Sequence, residues 1–265
     1  MKFTNYNSPE KSIINDTFNS LPYMDMWISS IIEGYIYGKT TKVDKYGFKT
    51  ENKMKYNKTN ETKQWYKNGQ MSSEYYYKDG LKDGTHKEWY KNGKPLTYTE
   101  YKQGKKEGEF KEWFRNGQIG TQSYYKDGKL NGEFKKWFYN GKLSFQCYYK
   151  EDKKEGEYKS WYRYREADGQ SENGQLQTQA YYKEGKLHGE YKYWHNDGKL
   201  LSQKYYKEGK VEGECKGWWV YGNLWIEEYY KDGILDGEYK EWSPKGTLSV
   251  HCYYKNGKPL PFFSL

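Results

Sequence analysis

The chain is poor in the residues that ordinarily build a core. Leu, Ile, Val and Phe together number 37 of 265 residues, about 14 %, below the roughly 20 % at which disorder is suspected when net charge is also high. The net charge of +9 is small for this length, so only half of that pattern is met. Cysteine is scarce: Cys147, Cys215 and Cys252 are odd in number and show no CxxC spacing, which argues against a disulfide framework or a zinc site. No stretch approaches the ~20 consecutive apolar residues of a membrane-spanning helix, and MKFTNYNSPEK at the start lacks the apolar run of a secretion signal. The expectation is an intracellular, cytoplasmic protein, with a place at the periphery of a membrane as the second expectation. What the chain has in excess is aromatic: 33 Tyr and 11 Trp. Disordered chains are usually poor in such rings, which favour strands and bury large areas.

Periodicity resolves the conflict. Trp stands at 65, 89, 113, 137 and 161, always 24 residues apart, and again at 194, 218 and 242. A Tyr-Lys pair follows the same rhythm, from Tyr77-Lys78 to Tyr253-Tyr254-Lys255. A fixed period over eight units marks a stacked repeat architecture. Each unit carries two turn signals, Asn-Gly (as at 140–141) and Asp-Gly or Glu-Gly (as at 127–128). Such pairs between strand-like runs predict hairpins. Two-residue turns at both places give strands of 11 and 9 residues, Lys129–Tyr139 and Lys142–Lys150, and an even repeat of 24. An even count keeps every unit on the same face.

The same arithmetic predicts the pairing: Phe138 with Leu143, Lys136 with Phe145, Phe134 with Cys147, and Gly132 with Tyr149. One face then holds Leu130, Gly132, Phe134, Phe138, Leu143, Phe145, Cys147 and Tyr149, and is apolar. The other holds Asn131, Glu133, Lys135, Trp137, Ser144, Gln146, Tyr148 and Lys150. A Tyr ring lying across Gly132 would recover the contact that a strand glycine forfeits.

The stretch YYKDGKLNGEFKKWFYNG (124–141) and its copies resemble the MORN repeat variant family, the form found in YwqK-like bacterial proteins and in arrays from large DNA viruses. The resemblance covers about residues 61–258. The better-known MORN pattern has Gly-x-Gly where this chain reads Gly132-Glu133-Phe134, so the match is to the variant. It implies an all-β fold: an elongated, twisted antiparallel meander of about eight 24-residue β-hairpin repeats. It implies scaffolding, protein binding or contact with membrane lipid rather than catalysis, and for YwqK-like members an antitoxin-like role.

Outside the array, Ser20-Leu21-Pro22 and the spacing of Ile28, Ile31, Ile32, Tyr35 and Ile36 predict a short N-terminal helix. Residues 1–60 read as a cap with that helix and a degenerate repeat or linker, 61–258 as the array, and 259–265 as a tail. A degenerate F-box-like adaptor helix is the sharper alternative for the cap. An insert at about 163–171 lengthens one hairpin tip, where insertions are tolerated.

No catalytic, cofactor or metal site is legible. His86, His188, His195 and His251 occupy four different repeat columns, and repetition argues against the unique constellation an active site needs. The candidate surface is the amphipathic face: Trp89, Trp113, Trp137, Trp161, Trp194, Trp218 and Trp242, interleaved with Lys111, Lys135, Lys159, Lys192, Lys216 and Lys240. The bland reading is a solvated face whose Lys and Glu neutralise each other. The functional readings are a protein partner first, then an anionic membrane surface met by the Lys columns. Nucleic acid ranks last, and self-association is compatible with all of them.

Overall fold

A computed structural model describes residues 39–54, 59–163 and 174–261. The helix expected near residues 20–36, the insert beyond Arg163, and Phe262 and Phe263 lie outside the described residues. The chain divides into two units, Met1–Gly93 and Lys94–Leu265.

The first unit has five strands: β1 (Lys39–Val43), β2 (Lys49–Met54), β3 (Thr59–Trp65), β4 (Met71–Lys78) and β5 (Leu81–Trp89). Each pairs antiparallel with the next. The second unit continues with β6 (Pro95–Lys102), β7 (Lys105–Trp113), β8 (Ile119–Lys126), β9 (Lys129–Trp137), β10 (Leu143–Lys150) and β11 (Lys153–Trp161). It goes on through β12 (Leu176–Lys183), β13 (Lys186–Trp194), β14 (Leu200–Lys207), β15 (Lys210–Val211), β16 (Gly213–Trp218), β17 (Leu224–Lys231), β18 (Ile234–Trp242), β19 (Leu248–Lys255) and β20 (Lys258–Pro259). Here too every strand pairs with its sequence neighbour, β15 and β16 being two pieces of one strand against β14. The fold is an all-β antiparallel meander of hairpins. The described residues contain no helix.

The two turn signals fold differently, for reasons the residues supply. At Asp-Gly both turn residues take positive φ, 51° at Asp127 and 85° at Gly128, and Lys126 pairs with Lys129 across them. This is the two-residue reversal that matches strand twist. At Asn-Gly only the glycine does, with Gly141 at 81°. The Gly141 N–H donates to the Phe138 carbonyl at 2.9 Å, and the Phe138 N–H to the Lys142 carbonyl at 2.8 Å. The loop is therefore Tyr139-Asn140-Gly141, three residues with a glycine bulge. Asn140 is favoured because its side-chain oxygen accepts the Lys142 N–H at 3.1 Å.

That extra loop residue corrects one expected pair. Lys136 meets Phe145, Phe134 meets Cys147 and Gly132 meets Tyr149, as the pattern predicts. Leu143, however, sits opposite Trp137 rather than Phe138, with a register shift before Phe145. Ile119 opposite Trp113 and Leu200 opposite Trp194 repeat the arrangement. The turn-proximal aliphatic column thus pairs with the Trp column. A second shift accompanies the strand glycine: Ser123 pairs with Phe134 but Tyr125 with Leu130. Gly132 takes φ 127°, and a Cβ there would lie 3.0 Å from the Tyr124 Cβ. The glycine serves a bulge and leaves room for the Tyr124 side chain.

Packing on the apolar face alternates large and small. Thr99, Ser123, Cys147 and Ala180 are buried, each set in the ladder against rings such as Phe134 and Tyr158. The rings meet edge-on, Phe134 with Phe145 at 5.7 Å and Phe145 with Tyr158 at 5.1 Å, or tilted, Tyr158 with Tyr182 at 5.7 Å. Such pairs add about 0.5–1.5 kcal/mol each beyond area burial. One place inverts the pattern. Where the ring column holds the small Cys215, its neighbours on flanking strands are Lys204 and Glu228. Burial pushes the Cys215 thiol up to about 11 and raises the Glu228 carboxyl.

Candidate functional site

The amphipathic face is built from one motif repeated along the strands. Glu-x-Lys places both side chains on the same face, two residues apart, and the pair closes within the strand. Lys111 meets Glu109 at 2.7 Å, Lys135 meets Glu133 at 2.7 Å, and Lys159 meets Glu157 at 2.8 Å. Lys192 meets Glu190 at 2.7 Å, Lys216 meets Glu214 at 2.8 Å, and Lys240 meets Glu238 at 2.7 Å. In the first unit Lys63 meets Glu61 at 2.6 Å. From the neighbouring strand a glutamine amide donates to the same carboxylate: Gln122 to Glu109 at 2.7 Å, Gln146 to Glu133 at 3.0 Å, Gln179 to Glu157 at 2.7 Å, and Gln203 to Glu190 at 2.8 Å. Tyrosine hydroxyls complete it, as Tyr253 does on Glu238 at 3.3 Å.

The electrostatics follow. Partial burial works to raise the Glu157 carboxyl, but hydrogen bonds from Lys159 and Gln179 outweigh it and the group is lowered. The ammonium of Lys63 is the leading cause of the lowered Glu61 carboxyl. The six candidate lysines are therefore neutralised one by one, each about a quarter to a third exposed at the side chain. Trp89, Trp113, Trp137, Trp161, Trp194, Trp218 and Trp242 are all half-buried.

The accessible groups lie elsewhere on the same repeat. Tyr124, Tyr148, Tyr181, Tyr205, Tyr229 and Tyr253 form one column and are 37 %, 55 %, 38 %, 49 %, 40 % and 51 % exposed. Each precedes the Tyr-Lys pair by which the period is recognised, so the first Tyr of Tyr-Tyr-Lys is the outward ring and the second the packed one. Two residues on, at the Asp-Gly turn, lysines face each other across the ladder. Lys102 pairs with Lys105, Lys126 with Lys129, Lys150 with Lys153, Lys183 with Lys186, and Lys207 with Lys210. All ten are exposed, and none takes part in an ion pair among the described residues.

Two further columns were legible in the sequence but not singled out. The glutamines recur with the common period and orient the carboxylates. At the turn edge, a polar side chain beside the strand glycine accepts the N–H of the next unit's turn. Glu107 takes Asp127 N–H at 2.7 Å, Glu155 takes Glu184 N–H at 2.8 Å, and Glu212 takes Asp232 N–H at 2.7 Å. The turn glycines add backbone bonds to the same preceding strand, Gly128 N–H to the Lys106 carbonyl at 2.8 Å and Gly209 N–H to Leu187 at 2.8 Å. No group of three or more His, Cys, Asp or Glu arranged for a metal occurs among the described residues. No helix there is long and apolar enough to cross a membrane.

The sequence model of the MORN repeat variant matches residues 58–79, 82–103, 106–127, 130–151, 187–208 and 235–256. The chain belongs to the MORN repeat variant family. The matched segments run from one Asp-Gly reversal to the next, so the MORN unit coincides with the hairpin pairing observed here. The stretches between matches contain the inserted residues after Trp161 and the unit with Cys215, where Tyr221-Gly222 replaces Asn-Gly. No curated protein matches the chain. Matched repeats in a hairpin meander make this a MORN repeat scaffold.

Proposed function

We propose that the chain is a non-catalytic scaffold that binds another protein through its aromatic, lysine-bearing face. The observation that carries this reading is the column of six outward tyrosines, one in each hairpin from β8 onward, held on a polar network that repeats from unit to unit. Tyrosine combines large contact area with few rotatable bonds and is enriched at protein interfaces. A surface that repeats suits an extended partner better than a small substrate. The lipid reading draws less support from the Lys columns, because each of those lysines already faces a carboxylate.

The test is affinity capture from the native host with the intact protein and with a Tyr148→Ser/Tyr181→Ser/Tyr205→Ser variant. Matching circular dichroism and melting temperature would show that the exposed substitutions leave the fold intact. Proteins held by the native chain and lost by the variant are expected. Identical capture by both would refute the reading.

A further inference from the structure

The lysine pairs at the Asp-Gly turns have no structural reason to exist. Like charges directly opposite in an antiparallel ladder are destabilising, and the fold needs only a two-residue reversal there. Leu81 opposite Lys78 and Ile234 opposite Lys231 show that an apolar residue fits the position. Yet six hairpins of the second unit place Lys on both sides of the turn. The last is Lys255 with Lys258, where Asp236 holds Lys255 at 3.0 Å; the other five pairs have no ion-pair partner among the described residues. From β8 onward the outward tyrosine of each repeat lies two residues from the first lysine, on the same face; beside Lys102 its place is taken by Glu100. Gly132, Gly189 and Gly237 leave room for Tyr124, Tyr181 and Tyr229, since a Cβ at each glycine would lie 3.0, 3.3 and 2.5 Å from the tyrosine Cβ. These tyrosines remain exposed.

Both rows advance by two strands per unit, roughly 9.6 Å at the ordinary strand spacing. Three residues of polyproline-II chain span about 9.3 Å and return to the same side. Phosphates along a single nucleic-acid strand do not share that interval, and the acidic residue inside all but the first and last of these turns (Asp127, Glu151, Glu184, Glu208) opposes a uniformly anionic chain. Strand twist of about −20° per strand rotates successive pairs, so a flat bilayer meets few of them together. Aromatic rows are also the surface on which polyproline-II segments dock.

We propose that the Asp-Gly edge of residues 94–265 binds an extended polyproline-II protein segment carrying an acidic residue at every third position. The carboxylates sit between paired lysines and the intervening prolines lie on the outward tyrosines. This deepens the protein-binding reading and rests on it.

The experiment is fluorescence anisotropy of the full chain with labelled (Glu-Pro-Pro)5 and with a peptide of the same composition whose five glutamates are contiguous. The periodic peptide is expected to bind about tenfold more tightly, because several units engage at once, and to weaken with salt. Lys150→Gln/Lys183→Gln/Lys186→Gln and Tyr148→Ser/Tyr181→Ser are each expected to abolish that preference. Lys245→Gln, exposed at the opposite end of a hairpin, is expected to leave it unchanged. Equal affinity for both peptides, or no binding of either, overturns the proposal. So does tighter binding of a fifteen-nucleotide oligothymidylate or of phosphatidylserine vesicles, or self-association that accounts for the lysine edge by sedimentation. Host proteins still lost by the tyrosine variant, with no peptide bound, would leave the scaffold reading standing and remove this one alone.

Discussion

Single residues carry most of the local strain in this fold. Gly237 has φ 146°, and a Cβ there would lie 2.5 Å from the Tyr229 Cβ, whereas Gly80, at φ 80°, has nothing within 4 Å. Gly237→Ala should cost about 1–3 kcal/mol, and Gly80→Ala less, which urea denaturation of the two variants will compare. His86 is buried between Tyr75 and Tyr77, with ring centroids at 4.8 and 5.8 Å. Burial first, and the Lys82 charge second, depress its imidazole to about 4. The unfolded chain therefore takes up a proton near pH 6.5 that the folded chain refuses until about 4. Stability should fall as pH drops through that window and level off below it. His86→Phe, the residue found at the equivalent positions 110 and 134, should flatten that slope in melting curves. The thiols divide similarly. Cys147 and Cys215 are 1 % exposed and pushed by burial up to about 11, while Cys252 is only half-buried. A disulfide reagent at pH 8 should titrate one thiol quickly in the native protein and all three after denaturation.

At the scale of the hairpin, much was legible because period and parity do not depend on side-chain detail. Phe134 opposite Cys147 and Gly132 opposite Tyr149 follow from counting outward from a turn. The count fails where one dipeptide can close two kinds of loop. Asn140-Gly141 was compatible with a two-residue reversal, and the choice fell to a hydrogen bond from Lys142 N–H to the Asn140 side chain, which sequence counting does not weigh. The cost of that choice is one bulge and a Leu143 moved opposite Trp137. On the amphipathic face the tryptophans and lysines were visible as columns, but their accessibility was not. That depended on Glu133 closing onto Lys135 in its own strand and on Gln146 reaching across. The neutralised motif is individually weak, as surface pairs are worth about 0–1 kcal/mol. Glu133→Gln should lower stability by less than about 1 kcal/mol, in chemical denaturation. It should also make Lys135 the most reactive lysine of its column toward acylating reagents, read by mass spectrometry.

Across the whole molecule, repetition makes the unit of 24 residues the natural unit of change. Deleting one complete hairpin, residues 106–129, rejoins a strand to an equivalent strand with parity preserved, and nearest-neighbour stability predicts a folded, shorter array. The variant should keep its strand signature in circular dichroism and lose denaturant m-value in rough proportion to the surface removed. Deleting 23 residues instead exchanges the two faces beyond the junction and should produce aggregation.

The bonds that tie each turn to its predecessor have a consequence for how the chain is made. Gly128 N–H reaches back to Lys106 and Gly233 N–H to Val211, so these Asp-Gly reversals are finished by residues synthesised one repeat earlier. The Asn-Gly ends are tied the other way, Asn116 donating to the Tyr139 carbonyl and Trp219 to the Trp242 carbonyl, so each of those is completed by the repeat that follows. Contacts of such short separation favour rapid folding, and the array can grow in the order of translation, each nascent hairpin completing the exposed edge left by the last.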